Sequence, residues 1–435
     1  MLPPLRRQAL VLAALVPLLA VCAAGCSGGA RDAAGSRSGA PGATGTAQDA
    51  KPPTPKPAGS PGDILVAGRP VTGWQASGNP KAPFRRIYTD GELYAPVTGY
   101  RSLAFGAAGG LDAVLAEDID AGRDVATTID PAVQRAAFDA LRGRQGAAVA
   151  LDAETGAVLG MVSAPSFDPG SFSGYAQADE KAWKALQAQG FDGPLKNRAL
   201  RDAENPGAAV HVLVAAAALE NGLLPSVDAP TRGAAVYLAP NSTTEFSGDP
   251  AHCADASLRV ALRYSCANVF ARIASELGAG ALASTATAFG FGDDTMDTPV
   301  RAFASTWPRE PGNPTQLALM ANGLSEVKAT PVQLAVVTAV LANGGNRVHP
   351  RTVAGPRTPV PAERAVSRRT ADQLQSALGA RTGAWVPSAS VSWALSSTRS
   401  PSGRPLAVVV CLSSPTDSTA QAGPIAERIA GADKR

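Results

Sequence analysis

One stretch concentrates the chemical question: NRALRDAENPGAAVHVLVAAAALENGLL, residues 197–224. A polar segment leads to Pro206-Gly207 and then to an Ala-rich helix. The opening turn of such a helix can present a nucleophile or a base. The residues there are Ala208, Ala209, Val210 and His211. Ala208 has no oxygen, and no electrostatic tuning makes a methyl group a nucleophile. His211 is the one group on this turn able to take a proton near neutral pH. It has no partner nearby in sequence, so its plain reading is a helix residue that fills space. Metal chemistry is not indicated. The chain has 3 His, and its Cys spacing matches no zinc site. No cofactor is expected.

The elements that must position these residues can be read from pattern. TTID leads into a helix, PAVQRAAFDALRG, with Pro131 in its first turn and Gly143 at its end. GAAVALDAETGAVLGMVSAP reads as two apolar strands joined by a turn at Glu154-Thr155-Gly156. Helices are expected over residues 208–221, 256–276, 313–324 and 331–343, and again near 369–378. Two strands follow, VSWALSS and PLAVVVCLSS, and a last helix starts near Pro424. Strands at both ends with helices between them predict an α/β (α+β) domain. Its antiparallel sheet is closed by both ends of the chain and flanked by helices. No repeat period is visible.

The chain has 435 residues, enough for one large domain and a smaller companion. Lys and Arg number 39 against 36 Asp and Glu, a formal charge of +3 with no basic block, which argues against nucleic acid as a partner. Residues 1–26 read as a targeting segment. Arg6 and Arg7 precede an apolar run that ends in Ala23-Ala24-Gly25-Cys26. Small residues before a cysteine look like a bacterial lipobox, with Cys26 lipidated. The alternative is an uncleaved single-pass anchor. Either puts the chain at the extracytoplasmic face of the plasma membrane. Residues 27–61 have too few large apolar side chains to fold and read as a disordered tether. DILVAGRPVTG and GELYAPVTGYRS read as short strands of a small β-rich module over 62–125. The larger domain then takes 126–435.

Beyond Cys22 and Cys26 stand Cys253, Cys266 and Cys411. In an oxidising compartment Cys253 and Cys266 are able to pair, leaving Cys411 odd in an apolar strand as a buried thiol.

Taken in order, TTIDPAVQRAAFDALRGRQGAAVALDAETGAVLGMVSAPSFDP, NRAL with its Pro-Gly, SLRVALRYSCANVFA and EVKATPVQLAVVTAVLANGG resemble the class B penicillin-binding proteins, especially their actinobacterial branch. The resemblance covers about residues 62–430. It implies the fold of the serine β-lactamase-like D,D-transpeptidases, which cross-link peptidoglycan stem peptides and are acylated by β-lactams. Three motifs carry that chemistry. The family's Ser-x-x-Lys falls on Ala208 through His211, so the nucleophile and its lysine are both replaced. Its Ser-x-Asn falls on Ser265-Cys266-Ala267. The serine stays and the Asn position is Ala267. Asn268 stands one residue later, turned by about 100° if the segment is helical. Its Lys-Thr-Gly has a candidate in Arg381-Thr382-Gly383, where Arg keeps the charge with a different geometry. A surface turn is the other reading of those three residues.

The resemblance therefore implies a pseudo-transpeptidase: a surface-tethered protein that binds peptidoglycan stem peptides or holds partners of the wall-synthesis machinery. Ser265, Asn268, Arg381, Thr382 and Gly383 are the residues left to line a peptide cleft. A working acyl-transfer enzyme is the alternative. By analogy with the family's lysine and serine, His211 should face Ser265 and make a displaced nucleophile and base. A reversible receptor for β-lactams or muropeptides is a third reading.

Overall fold

The computed structural model describes residues 56–293, 296, 298–355, 363–379, 391–413 and 419–433. At its centre are four antiparallel strands. These are β5 (Gly146–Asp152), β6 (Val158–Ala164), β7 (Ser392–Arg399) and β8 (Pro405–Leu412), in the order β7-β8-β5-β6. The expected closure by both chain ends is present: Val409 of β8 is paired with Val149 of β5. Side chains of a strand alternate between faces, and here each face has its own core. Leu406, Val408 and Val410 point to one, with Ala148 and Ala150. Ala407, Val409 and Cys411 point to the other, with Val149 and Leu151.

The first face is covered by α2 (Pro131–Ala140), through Val133 and Ala137, and by α9 (Thr419–Ala430), through Ile425 and Ile429. Asp130 caps α2, its carboxylate accepting from the amides of Ala132 and Val133, and Pro131 sits where no amide hydrogen is needed. The last helix begins at Thr419, earlier than the expected start near Pro424, and Pro424 lies inside it. The second face is covered by α7 (Pro331–Ala342), which is buried nearly all round, as its even spread of apolar residues demands. Around it stand α3 (His211–Glu220), α4 (Leu258–Tyr264), α5 (Ala267–Ala288), α6 (Pro314–Ala321) and α8 (Arg368–Leu378).

The N-terminal module is less β-rich than its sequence suggests. It holds β1 (Ile64–Val66), the hairpin β2 (Thr72–Asn79) and β3 (Ala82–Tyr88), and β4 (Val125–Ala126), which pairs with β1. The stretch expected to continue as strand, GELYAPVT, is instead helix α1 (Gly91–Thr98). Pro96 inside it cannot donate to the Glu92 carbonyl. The hydroxyl of Ser166 donates there instead, at 2.7 Å. A buried amide joins module to domain: Gln134 of α2 donates to the carbonyls of Leu93 and Met161 and accepts from the Met161 amide. The end of the expected tether is also held, since the Lys56 ammonium lies 3.3 Å from Asp63 and 3.2 Å from Asp124.

Candidate functional site

Ala208 lies in a tight 3-10 turn, Gly207–Val210, that runs into α3 at His211. The chain before it is clamped from three directions. Glu204 exchanges backbone hydrogen bonds with Ala329, at 3.1 and 2.8 Å. The Asn205 amide donates to the carbonyls of Ser325 and Val327, and its oxygen accepts from Lys328 Nζ at 2.9 Å. The Trp393 indole of β7 donates to the Asn205 carbonyl at 3.2 Å. Gly207 donates to the Gly323 carbonyl at 3.0 Å. A Cβ on Gly323 would stand 2.0 Å from Gly207 O, so this crossing requires glycine. Burial pushes the Glu204 carboxyl up, and nearby Asp202 adds to the shift while Lys328 opposes it. Asn205 and Lys328 were not marked by sequence reasoning. Asn205 precedes Pro-Gly and reads there as a turn residue only.

His211 is buried, with 3% of its surface exposed. Its ring stacks on Phe270 of α5 with centroids 3.8 Å apart. Nε2 lies 2.9 Å from Oδ1 of Asn322. The Asn322 amide nitrogen donates to the carbonyls of Ala267 and Ala318, so its oxygen must face the ring. That fixes the proton on Nε2. Nδ1 is left as a buried acceptor without a hydrogen-bond partner among the described residues. Burial holds the pKa of the imidazole down at about 3, with the Asn322 bond working weakly against that shift. The ring is neutral throughout the physiological range. The expected His211–Ser265 pair is not formed: one nitrogen is taken by Asn322, and the other meets no donor among the described residues.

Ser265 is not inside a helix. The helix expected over 256–276 is broken into α4 and α5, and Ser265 is the joint, with φ 52° in the left-handed region. The Cys266 amide closes α4 by donating to the Ala261 carbonyl at 3.0 Å. Cys266 is bonded to Cys253, with Cα atoms 5.4 Å apart, which ties the joint to the loop before α4. Cys411 is free and buried.

Ala267 and Asn268 open α5. Asn268 is 1% exposed, and its amide nitrogen donates to the carbonyls of Ala234 and Cys253, both at 2.8 Å. The expectation that Asn268 lines a substrate cleft is therefore corrected. It pegs the neighbouring loop. Arg381, Thr382 and Gly383 lie outside the described residues, between α8 and β7.

An acid–histidine pair that sequence reasoning passed over lies beside the joint. Asp249 Oδ2 is 2.7 Å from His252 Nδ1, and the ring stacks on Tyr264 at 3.8 Å. The spacing Asp-x-x-His was visible in the sequence. Its partner in space, Tyr264, was not.

The transpeptidase domain of penicillin-binding proteins matches residues 146–384, and the dimerisation domain of penicillin binding protein A matches residues 61–144. The peptidoglycan D,D-transpeptidase PbpA of Mycobacterium tuberculosis is 32% identical over 326 residues, 68% of this chain and 65% of that protein. This chain thus spans less than two thirds of that relative's length. PbpA of Mycolicibacterium smegmatis is 32% identical over 353 residues, 71% of this chain and 70% of the relative. The crystal structure of PBPA from M. tuberculosis superposes with a TM-score of 0.75 at 28% identity, covering 86% of this chain and 100% of that one. The penicillin G acyl-enzyme complex of the same protein gives 0.74 at 27% identity, with the same coverage.

Proposed function

The chain belongs to the penicillin-binding protein transpeptidase family of peptidoglycan synthesis, and we propose that it is a member that keeps the fold and has lost acyl transfer. The observation that carries this reading is Ala208. The turn that should offer a nucleophile is held in place by Asn205, Gly207, Lys328 and Trp393, and what it offers is a methyl group. The residue one turn on, His211, supports the same reading. A base with its pKa near 3, buried against Phe270, has little proton affinity to contribute at neutral pH. A family member without a nucleophile still suits recognition of a stem peptide or of a wall-synthesis partner, and Ser265, Arg381 and Thr382 are the polar residues that the sequence motifs assign to it. Cys26 serves in this reading as a lipid anchor that leaves the folded part outside the membrane. No helix among the described residues is long and apolar enough to cross a bilayer.

The test is intact mass after incubation of the full-length chain with benzylpenicillin, beside the triple variant Ala208→Ser, His211→Lys, Ala267→Asn. The expected result is no adduct on the natural chain and one drug equivalent on the variant. An adduct on the natural chain, mapped to Ser265 or elsewhere, would overturn the proposal. Labelling with a palmitate analogue tests the anchor: incorporation lost on Cys26→Ser supports it, and a retained full-length leader refutes it.

A further inference from the structure

A cavity of about 460 Å³ opens between α1 of the N-terminal module and the segment 190–201 of the larger domain. Its walls are aromatic: Tyr100, Phe167, Phe191 and Phe303. Two of these rings are unusually open for large apolar side chains, Phe191 at 73% and Phe303 at 41% exposure. Each carries a cation over its face. Lys196 Nζ lies 4.4 Å from the Phe191 centroid, and the Arg201 guanidinium 4.6 Å from that of Phe303.

The two cations differ in what neutralises them. Lys196 is already held by two carboxylates, Asp192 at 2.9 Å and Asp202 in closer contact. Arg201 has no carboxylate and no hydrogen-bond acceptor for its guanidinium among the described residues. A guanidinium whose contact is with a ring face has N–H groups left to donate. Those groups form a fork that matches a carboxylate with two parallel bonds. One uncompensated charge beside two aspartates suits a singly charged anion and disfavours a doubly charged phosphate. Open aromatic walls suit an apolar body attached to that anion.

We propose that this cavity is a binding site for a small monocarboxylate with an aromatic or branched apolar body, its carboxylate seated on Arg201 and its body against Phe303 and Phe191. None of Ala208, His211 or Ser265 lines the cavity, so the site is separate from the degenerate cleft. It does not depend on whether the cleft is catalytic. Two sources share this chemistry: a free small acid, and the carboxyl end of a short peptide.

The experiment is ligand-observed NMR and calorimetry on the full-length chain with 3-phenylpropionate. Its uncharged counterpart, 3-phenylpropionamide, is measured beside it. The acid should bind, and the amide should bind about tenfold more weakly or worse, the usual weight of a charge-assisted pair. Arg201→Gln should reduce binding of the acid to the level of the amide. Phe303→Ala should weaken both. Unchanged melting temperatures of the variants show that the fold is intact. A tripeptide ending in Phe separates the sources: equal binding assigns the site to chain ends, and binding of the free acid alone assigns it to small acids. Equal affinity for acid and amide, no binding of the acid, or an Arg201→Gln variant that binds the acid like the natural chain would each overturn the proposal.

Discussion

His211 and Asn322 meet at 2.9 Å across α3 and the end of α6, a ring N–H donating to an amide oxygen. Both side chains are buried, and the pair is a piece of the core: α3 is tied through the ring to Phe270 of α5, and through Asn322 to the first carbonyl of α5 at Ala267.

Stability should depend on His211 with a defined sign. The folded chain holds its pKa near 3 because burial excludes the charged form, and the unfolded chain returns it to 6.5. Between those values the unfolded chain takes up a proton that the folded chain refuses. The contribution is whole above the unfolded value and falls on acidification, by up to about 1.4 kcal/mol per pH unit. His211→Gln should remove that slope between pH 6.5 and 4.5, above most carboxylate titration. Urea melts of both chains across that window measure it. Parallel slopes would mean that the ring is protonated without unfolding.

Asn322→Leu should cost about 2–3 kcal/mol, because it leaves the His211 N–H in a buried place without its acceptor and takes the side-chain donor from the Ala318 carbonyl in the last turn of α6. Adding His211→Leu should recover part of that loss, since the ring would no longer seek an acceptor. Chemical denaturation of the single and double variants gives the coupling directly.

Replacing Cys253 and Cys266 together by Ala opens a loop with a sequence separation of 13. The chain-entropy effect predicts a loss of about 3 kcal/mol. The same change releases the joint at Ser265, whose left-handed backbone no glycine supports. Hydrogen exchange at Ser265 and Cys266 should rise in the variant more than at β5. Equal protection there would show that the α4 cap alone holds the joint.

In the N-terminal module Arg86 and Asp112 are both fully buried, with Nη2 and Oδ1 2.8 Å apart but poorly aligned for a hydrogen bond. Trp74 covers the guanidinium at 4.6 Å, and Tyr88 donates to the other Asp112 oxygen. Asp112→Leu leaves a buried cation with Asp63 as its remaining anion, at 3.5 Å, and should cost about 3–5 kcal/mol. Arg86→Met with Asp112→Leu should cost less than Asp112→Leu alone. Thermal melts of the two variants decide it.

Much of this fold was legible because its signals are local. Asp130-Pro131, Thr330-Pro331 and Ser367 mark helix starts by their own side chains, and β8 announces itself by an unbroken apolar run. What failed to show was always supplied from far along the chain. GELYAPVT read as strand, and the hydroxyl that fills the hydrogen bond Pro96 cannot make in the helix belongs to Ser166. Nothing in RYSCANVF marks a break, because the joint rests on a disulfide to Cys253 and not on a glycine. That alanine stands at 208 and 267, where the resemblance implies Ser and Asn, could be read directly. The fate of His211 could not, since its partner is an asparagine on the turn after another helix.

The order of the central sheet makes its first strand depend on its last. β5 is made early, and both of its outer faces are apolar, yet one of its two neighbours is β8, near the end of the chain. Without that strand, β5 and β6 are a two-stranded ribbon with an open, sticky edge. Pairings so distant in sequence close slowly. A chain cut between Ala164 and Pro405 therefore keeps the β5–β6 ribbon without the strand that covers its edge, and should aggregate rather than fold as a smaller protein.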